Sequence, residues 1–500
     1  MSNILKNACR IILLPLFPVS RRNTTPRDGE VASKLFLSHL LAGSVVFFGV
    51  LSAQKAVIDE VFVGKWTAIT VSICVGFITV LSLLISSYRQ RLQVQLTGTD
   101  EDPSINLQLV FLWGFGFALI IFLSINIVTY LQCAIDRPDD FPHSIFLLLV
   151  HFLYILFTVC QVVLLTYNKR SILKATIQFH FSIVCILAVN FALWYSSTMH
   201  TLFATGNKTT RFSNRSCFHS SDIQNKLGNQ VSPILLPPQI EFYILASTLL
   251  ISLWQNAKRY GVTQRTEACQ LSNVGSREKL GTHLPTGENG KNILAVTLAI
   301  FINVPVLITT VLLDFVYDWE NKYVVICLDV SETLSAICSC VLVYACLRNI
   351  STVSVNSTKS LLVRDYILIL SSTGMMAYFM IGVVASMSGY TLSKSTVVSR
   401  VFGMVETFLQ TYLLTRSSRH TADGNRREST CISFCALILV ISNLTYWLLD
   451  SYNKHMITKS RYIGFKDWNV VEVLFIPLVT FFRFFSGMGA YSMYMKFKTN

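Results

Sequence analysis

Five hundred residues that are 52% apolar and only 14% charged give a mean hydropathy of +0.52. A typical globular chain carries about 25% charged residues, so one soluble domain is excluded as the reading. The net charge of +14 does not announce a nucleic-acid partner, because Lys and Arg lie in short segments between long apolar blocks instead of along one face. Thirteen cysteines are scattered, mostly within those blocks, and no CxxC pair occurs. Neither a structural zinc site nor any other cofactor is expected.

Taken in order, the chain opens with an apolar run at Ile11–Val19 that is followed by Arg21 and Arg22. No small-residue cleavage site appears, which predicts an uncleaved segment lying at a membrane surface. Twelve apolar stretches follow, at about 35–54, 66–87, 107–131, 143–167, 175–198, 236–256, 292–313, 322–347, 364–386, 395–416, 430–451 and 468–495. Each approaches the roughly 20 residues that a spanning helix needs. An even number of crossings places both termini on one side. The segments on that side hold 26 Lys and Arg and the opposite loops hold 14, which puts the termini in the cytoplasm.

The loop 199–235, on the exterior side, carries the glycosylation acceptors Asn207-Lys-Thr and Asn214-Arg-Ser. Asn23, Asn349 and Asn356 match the same pattern but fall inside. Cys133 and Cys217 share the exterior side, where a disulfide or two free thiols both remain open. The polar stretch 257–291 reads as a linker. The expected fold is all-α: a polytopic membrane protein with twelve transmembrane helices as two six-helix pseudo-repeats. Its parts are a basic tail (1–34), a first half (35–256), the linker (257–291), a second half (292–495) and a short tail (496–500). Repeats of six spans share one orientation. A multi-pass protein of the plasma membrane, solvated by lipid, is the expectation.

Polar side chains inside these spans are costly and need a reason. They are His39, His151, Gln161, His180, Asn190, Glu241, Asn303, Glu332, Glu406, Gln410, Asn443, Asp450, Glu472 and Arg483. No nucleophile–base pair, phosphate loop or HExxH occurs among them, so no enzyme is expected. Asn190-x-x-x-Trp194 reappears as Asn443-x-x-x-Trp447, and Gln161 and Gln410 each sit in the preceding span. These amides could hydrogen-bond between helices within each half, as glue or as supports for a water chain. Pro237-Pro238 predicts a helix start that places Glu241 in the first turn, where the positive helix end stabilises the anion. Arg483 reads as the only unambiguous cation within a span, with Glu472, Asp450 and Glu406 as candidate partners. Glu332 and Glu406 could line a cavity or pair inside the bundle. His39, His151 and His180 are each either a proton relay or a satisfied hydrogen-bond partner.

Five short motifs stand in order along the chain: Phe157-Thr-Val-Cys-Gln161, Asn190-Phe-Ala-Leu-Trp194, Leu236-Pro-Pro-Gln-Ile-Glu-Phe-Tyr243 with Trp254-Gln-Asn256, Leu409-Gln-Thr411, and Pro477-Leu-x-x-Phe-Phe-Arg483 in the last span. Together they resemble the otopetrin family, proton-selective channels built of two six-helix halves. Cys185 and Phe485 stand where the family has histidine, and His180 lies five residues before Cys185. The resemblance implies a homodimer, passive proton influx under exterior acid, and roles for Glu241, Gln161, Asn190, Gln410, Asn443 and Arg483. A six-plus-six proton-coupled transporter and a non-conducting sensor or scaffold are the competing classes.

Overall fold

Residues 26–53, 58–90, 104–136, 141–169, 173, 176–206, 229–267, 288–315, 322–350, 363–389, 394–420, 426–452 and 468–498 are described in the computed structural model. Asn207, Asn214, Cys217 and the run Ile11–Val19 lie outside them. The described residues form twelve helices and no strand. These are α1 (Pro26–Ala53), α2 (Ile58–Gln90), α3 (Ile105–Asp136), α4 (Phe141–Tyr167), α5 (Ile177–Gly206) and α6 (Asn229–Glu267). They continue as α7 (Glu288–Phe315), α8 (Lys322–Ile350), α9 (Val363–Met387), α10 (Ser395–Ser417), α11 (Arg426–Tyr452) and α12 (Trp468–Lys498).

A helix satisfies its own backbone, the one way a single segment can cross hydrocarbon. Hydroxyls follow the same rule by bonding one turn back, as Thr158 does to the Tyr154 carbonyl at 2.9 Å and Thr407 to the Gly403 carbonyl at 2.7 Å. Ten of the twelve helices hold a stretch long and apolar enough to cross a membrane, so the chain is a multi-pass membrane protein. The two that fall short are α1, whose apolar stretch is Ser33–Val46, and α10. Within α10 the apolar run is diluted by Arg400, Glu406 and Gln410, all buried inside the protein.

One helix boundary differs from expectation with consequence. The sixth helix begins at Asn229, not at Pro237, and runs for 39 residues to Glu267. Pro237 and Pro238 therefore sit inside α6, where neither can donate to the carbonyl four residues back. Glu241 is several turns from the helix start, beyond the reach of the terminal dipole.

The chain divides into two compact units, Met1–Thr99 with Leu109–Ser276, and Asp100–Gln108 with Arg277–Asn500. In the first, α5 packs against α1, α2 and α6, while α4 packs against α2 and α6. In the second, α11 packs against α7, α8 and α12, while α10 packs against α8 and α12. Each of these pairs is the first unit's pair moved on by six helices. The third member also corresponds. α9 packs on α10 and α12. Gly116 of α3 brings that helix within van der Waals reach of Val162 on α4 and Phe242 on α6.

Phe157, Phe242 and Tyr243 are enclosed in the first unit, as Tyr378, Phe482, Phe484 and Phe485 are in the second. Large apolar side chains such as Ile78, Val110, Phe301 and Leu370 point outward, the surface that lipid solvates. Closest approach falls at Gly374 on α9, where an added Cβ would lie 2.5 Å from Leu478 Cδ1 and 2.7 Å from Leu478 Cβ. The second atom is next to the backbone and cannot swing aside. Gly374→Val is expected to destabilise the protein by about 1–3 kcal/mol through overpacking. Thermal unfolding in detergent checks this, with Gly114→Ala, where nothing lies within 4 Å, as the neutral reference.

Candidate functional site

Buried polar groups mark the interior of each unit, and the two interiors are built differently. In the first unit, α6 carries Gln239, Glu241 and Tyr243 to one level. Gln239 Nε2 donates to Ser197 Oγ of α5 at 3.0 Å, with Tyr154 of α4 close by. The Tyr154 and Tyr243 rings stack with centroids 6.4 Å apart. Glu241 is 2% exposed, a carboxyl group wholly inside the protein.

Asn190 lies two turns before Ser197 on α5, and Gln161 two turns after Tyr154 on α4. At ~1.5 Å per residue each is ~10 Å from the tyrosine level. A short connection makes α4 and α5 antiparallel, so both amides are displaced in the same direction. Phe157 and Val189, beside them, converge on Gly76 of α2 at 2.8 and 3.1 Å from its Cβ position. Both amides are 0% exposed, and neither the nitrogen nor the oxygen of either one has a hydrogen-bond partner in the protein. The expected Gln161–Asn190 bond is not formed. The reason is geometric: α4 and α5 each lean on α2 and α6.

Further along, Trp254 Nε1 of α6 donates to His180 Nδ1 of α5 at 2.7 Å. An indole nitrogen only donates, so His180 Nδ1 must accept, and a proton arriving at that nitrogen has to displace the indole. His180 thus ties α5 to α6. Cys185, half-buried on α5, lies between this tie and Asn190. His151 bonds through Nδ1 with the Leu147 carbonyl at 2.8 Å between the Trp66 and Tyr130 rings, and His39 is exposed.

In the second unit one of the two repeated amides is engaged with charge. Arg483 Nη1 and Nη2 donate to Glu406 Oε1 and Oε2 at 3.0 and 3.1 Å, a bidentate pair with both side chains buried. Gln410 Nε2 donates to Glu406 Oε1 at 3.0 Å from one turn away on α10. The guanidinium also lies 4.7 Å from the centre of the Tyr446 ring. Of the three candidate partners, Glu406 therefore holds Arg483. The Glu472 side chain lies outside the described residues. Asn443 donates to the Leu439 carbonyl of its own helix at 2.9 Å, so no Gln410–Asn443 bond forms here either. Asn303 ties α7 to α11 through Ser442 Oγ at 2.9 Å.

Three buried charges escaped the sequence reading, Arg400, Asp329 and Asp365, the last of which is 2% exposed in the first turn of α9 and accepts from Ser418 Oγ at 3.2 Å. Arg400, 4% exposed on α10, stands 4.0 Å from Glu332 of α8 and lies over the Tyr378 and Phe379 rings of α9. Arg483 is accordingly not the one cation within the spans. Asp329, 0% exposed, accepts from Ser395 Oγ at 2.6 Å and Thr396 Oγ1 at 2.8 Å, and Glu332 accepts from Ser399 Oγ at 2.9 Å. Both lie near the starts of their helices, where charge is usually interfacial. The available signal was spacing: Asp329 with Glu332, and Ser395-Thr396 with Ser399-Arg400, share helix faces at three and four residues. Among the described residues, no group of three or more His, Cys, Asp or Glu side chains is arranged to hold a metal ion.

The otopetrin family model matches residues 195–484, more than half of the chain. The match takes in Glu241, Glu332, Glu406, Gln410, Asn443 and Arg483. No curated protein matches the chain.

Proposed function

The chain belongs to the otopetrin family, a family of membrane ion channels, and on that premise we propose that it conducts protons passively into the cell when the exterior is acidic. The observation that carries the reading is the amide level of the first unit. Gln161 and Asn190 are fully buried with no protein partner on any of their four polar atoms. Leaving a buried polar group unsatisfied costs about 1–3 kcal/mol. Such groups are held in place by water. Water on these amides, with Glu241 and the tyrosine level to one side and His180 to the other, forms a file along which a proton hops while a metal cation would have to move bodily.

The second unit takes a different part. A proton crossing there meets Glu406 already held by Arg483 and Gln410, so Glu406 acts as a fixed countercharge and Arg483 as its clamp. Glu332, bonded to Ser399 and facing Arg400, is set in the same way. The matching packing of the two units supports a duplicated six-helix architecture, with both termini in the cytoplasm by the Lys and Arg bias. Function as a homodimer in the plasma membrane, glycosylated at Asn207 and Asn214, completes the reading.

Whole-cell recording with cytosolic pH imaging tests it, stepping exterior acidity with sodium present and absent. Current that follows the proton gradient alone is the expected result. Acidification that requires a co-substrate indicates coupled transport, and silence at normal surface expression indicates a sensor or scaffold. Glu241→Gln is expected to reduce the acid-evoked current several-fold at equal surface level. An unchanged current removes Glu241 from the pathway.

A further inference from the structure

Three thiols that the proton pathway does not use meet at one end of the second unit. Cys346 of α8 and Cys435 of α11 each lie one turn inside the Asn349–Cys431 contact that joins these two packed helices, which brings their thiols within range of each other, with Cys431 one turn earlier on α11. Asn349 of α8 donates through Nδ2 to Cys431 Sγ at 3.4 Å, and to the Ala345 carbonyl at 2.7 Å. All three cysteines are in the thiol form. Two neighbouring helices thus present sulfur to sulfur across their seam. Cys346 and Cys435 are buried at 0% and 5% exposure, while Cys431 is half-buried and opens an approach to them. Cys346 is one turn from the end of α8 and Cys431 about one turn from the start of α11, so the cluster is ~6–8 Å inside a helix end.

We infer that Cys346 and Cys435 are a reversible oxidation site, closed by a peroxide into a disulfide that fastens α8 to α11. The chemistry balances with hydrogen peroxide as the oxidant. The Cys435 sulfur attacks one peroxide oxygen, the O–O bond breaks, and the departing hydroxide leaves as water with the thiol proton. Cys435 is then a sulfenic acid. The Cys346 sulfur displaces hydroxide from it, the S–S bond forms, and the Cys346 proton leaves with that hydroxide as a second water. Two thiols lose two electrons and the peroxide gains them. Cys431 and Cys435 cannot serve as the pair, because four residues apart on one helix their Cβ atoms stand too far apart for the ~3.8 Å that a disulfide requires. On the proposed topology this end faces the cytosol, where thiols rest reduced and a disulfide is transient. The inference does not depend on proton conduction.

The test uses the full chain in membranes, exposed to hydrogen peroxide, denatured with N-ethylmaleimide, digested and mapped by mass spectrometry. Joint loss of the maleimide adducts at Cys346 and Cys435, restored by dithiothreitol, is expected, with Cys74 and Cys160 as references within the molecule. Cys431→Ser should preserve that joint loss. Cys346→Ser should restore labelling at Cys435, and Cys435→Ser should restore it at Cys346. Adducts retained at both sites in the unsubstituted protein would overturn the inference, and that measurement needs no variant to fold. Loss that dithiothreitol does not reverse, or protection of Cys346 that persists in Cys435→Ser, would overturn it equally.

Discussion

Glu406→Ala is expected to cost the folded protein about 3–5 kcal/mol, because it strands the Arg483 guanidinium inside the bundle without its counter-ion. The loss comes from uncompensated charge more than from missing attraction. Replacing both partners by apolar side chains of similar volume, Glu406→Leu with Arg483→Met, should recover most of it. Thermal unfolding of the purified variants and their surface expression give the comparison. If the single variant unfolds with the unsubstituted protein, or the double variant is no better than the single, the pair is not what holds α10 to α12.

The amide level makes the opposite prediction. Gln161→Leu combined with Asn190→Leu removes two fully buried groups that no protein atom satisfies, so stability should hold or rise by about 1–2 kcal/mol. Acid-evoked current should nevertheless fall at least about tenfold, since a barrier raised by ~1.4 kcal/mol suffices for that. Structural glue would show the reverse: lost stability with current per surface molecule intact. Gln410→Leu removes a donor from Glu406 and should behave as glue does. Current that survives the double substitution unchanged sinks the first-unit pathway.

How much of this could be read beforehand follows from where each interaction is local. Apolar blocks of spanning length are a property of consecutive residues, so the existence and order of the helices were legible. Their ends were less so: α1 begins at Pro26 and α2 at Ile58, well before the apolar stretches at 35 and 66, and α6 begins at Asn229, ahead of two adjacent prolines that looked like a start signal. Packed against α4 and α5, α6 stays helical through Pro237 and Pro238, which leaves Glu241 about three turns from the helix start. The family resemblance was legible because its motifs are short and ordered along the chain. Partner choice was not. Glu406 and Arg483 are 77 positions apart, and nothing local distinguishes Glu406 from Asp450 as the counter-ion. The repeated Gln and Asn suggested direct bonds within each half, yet helix placement leaves one pair without a protein partner and sends the other to charge and backbone. Arg400 and Asp329 were overlooked because position near a helix end is a poor guide when the end itself is packed into the bundle.

The length of α6 reaches past the membrane question. Its apolar span ends at Gln255, but the helix continues through residues 256–267, about 18 Å further at ~1.5 Å per residue. That extension is about three turns of helix beyond the apolar stretch, in unbroken backbone register with Trp254 and its tie to His180, so a displacement of residues 256–267 is carried along the helix axis to α5.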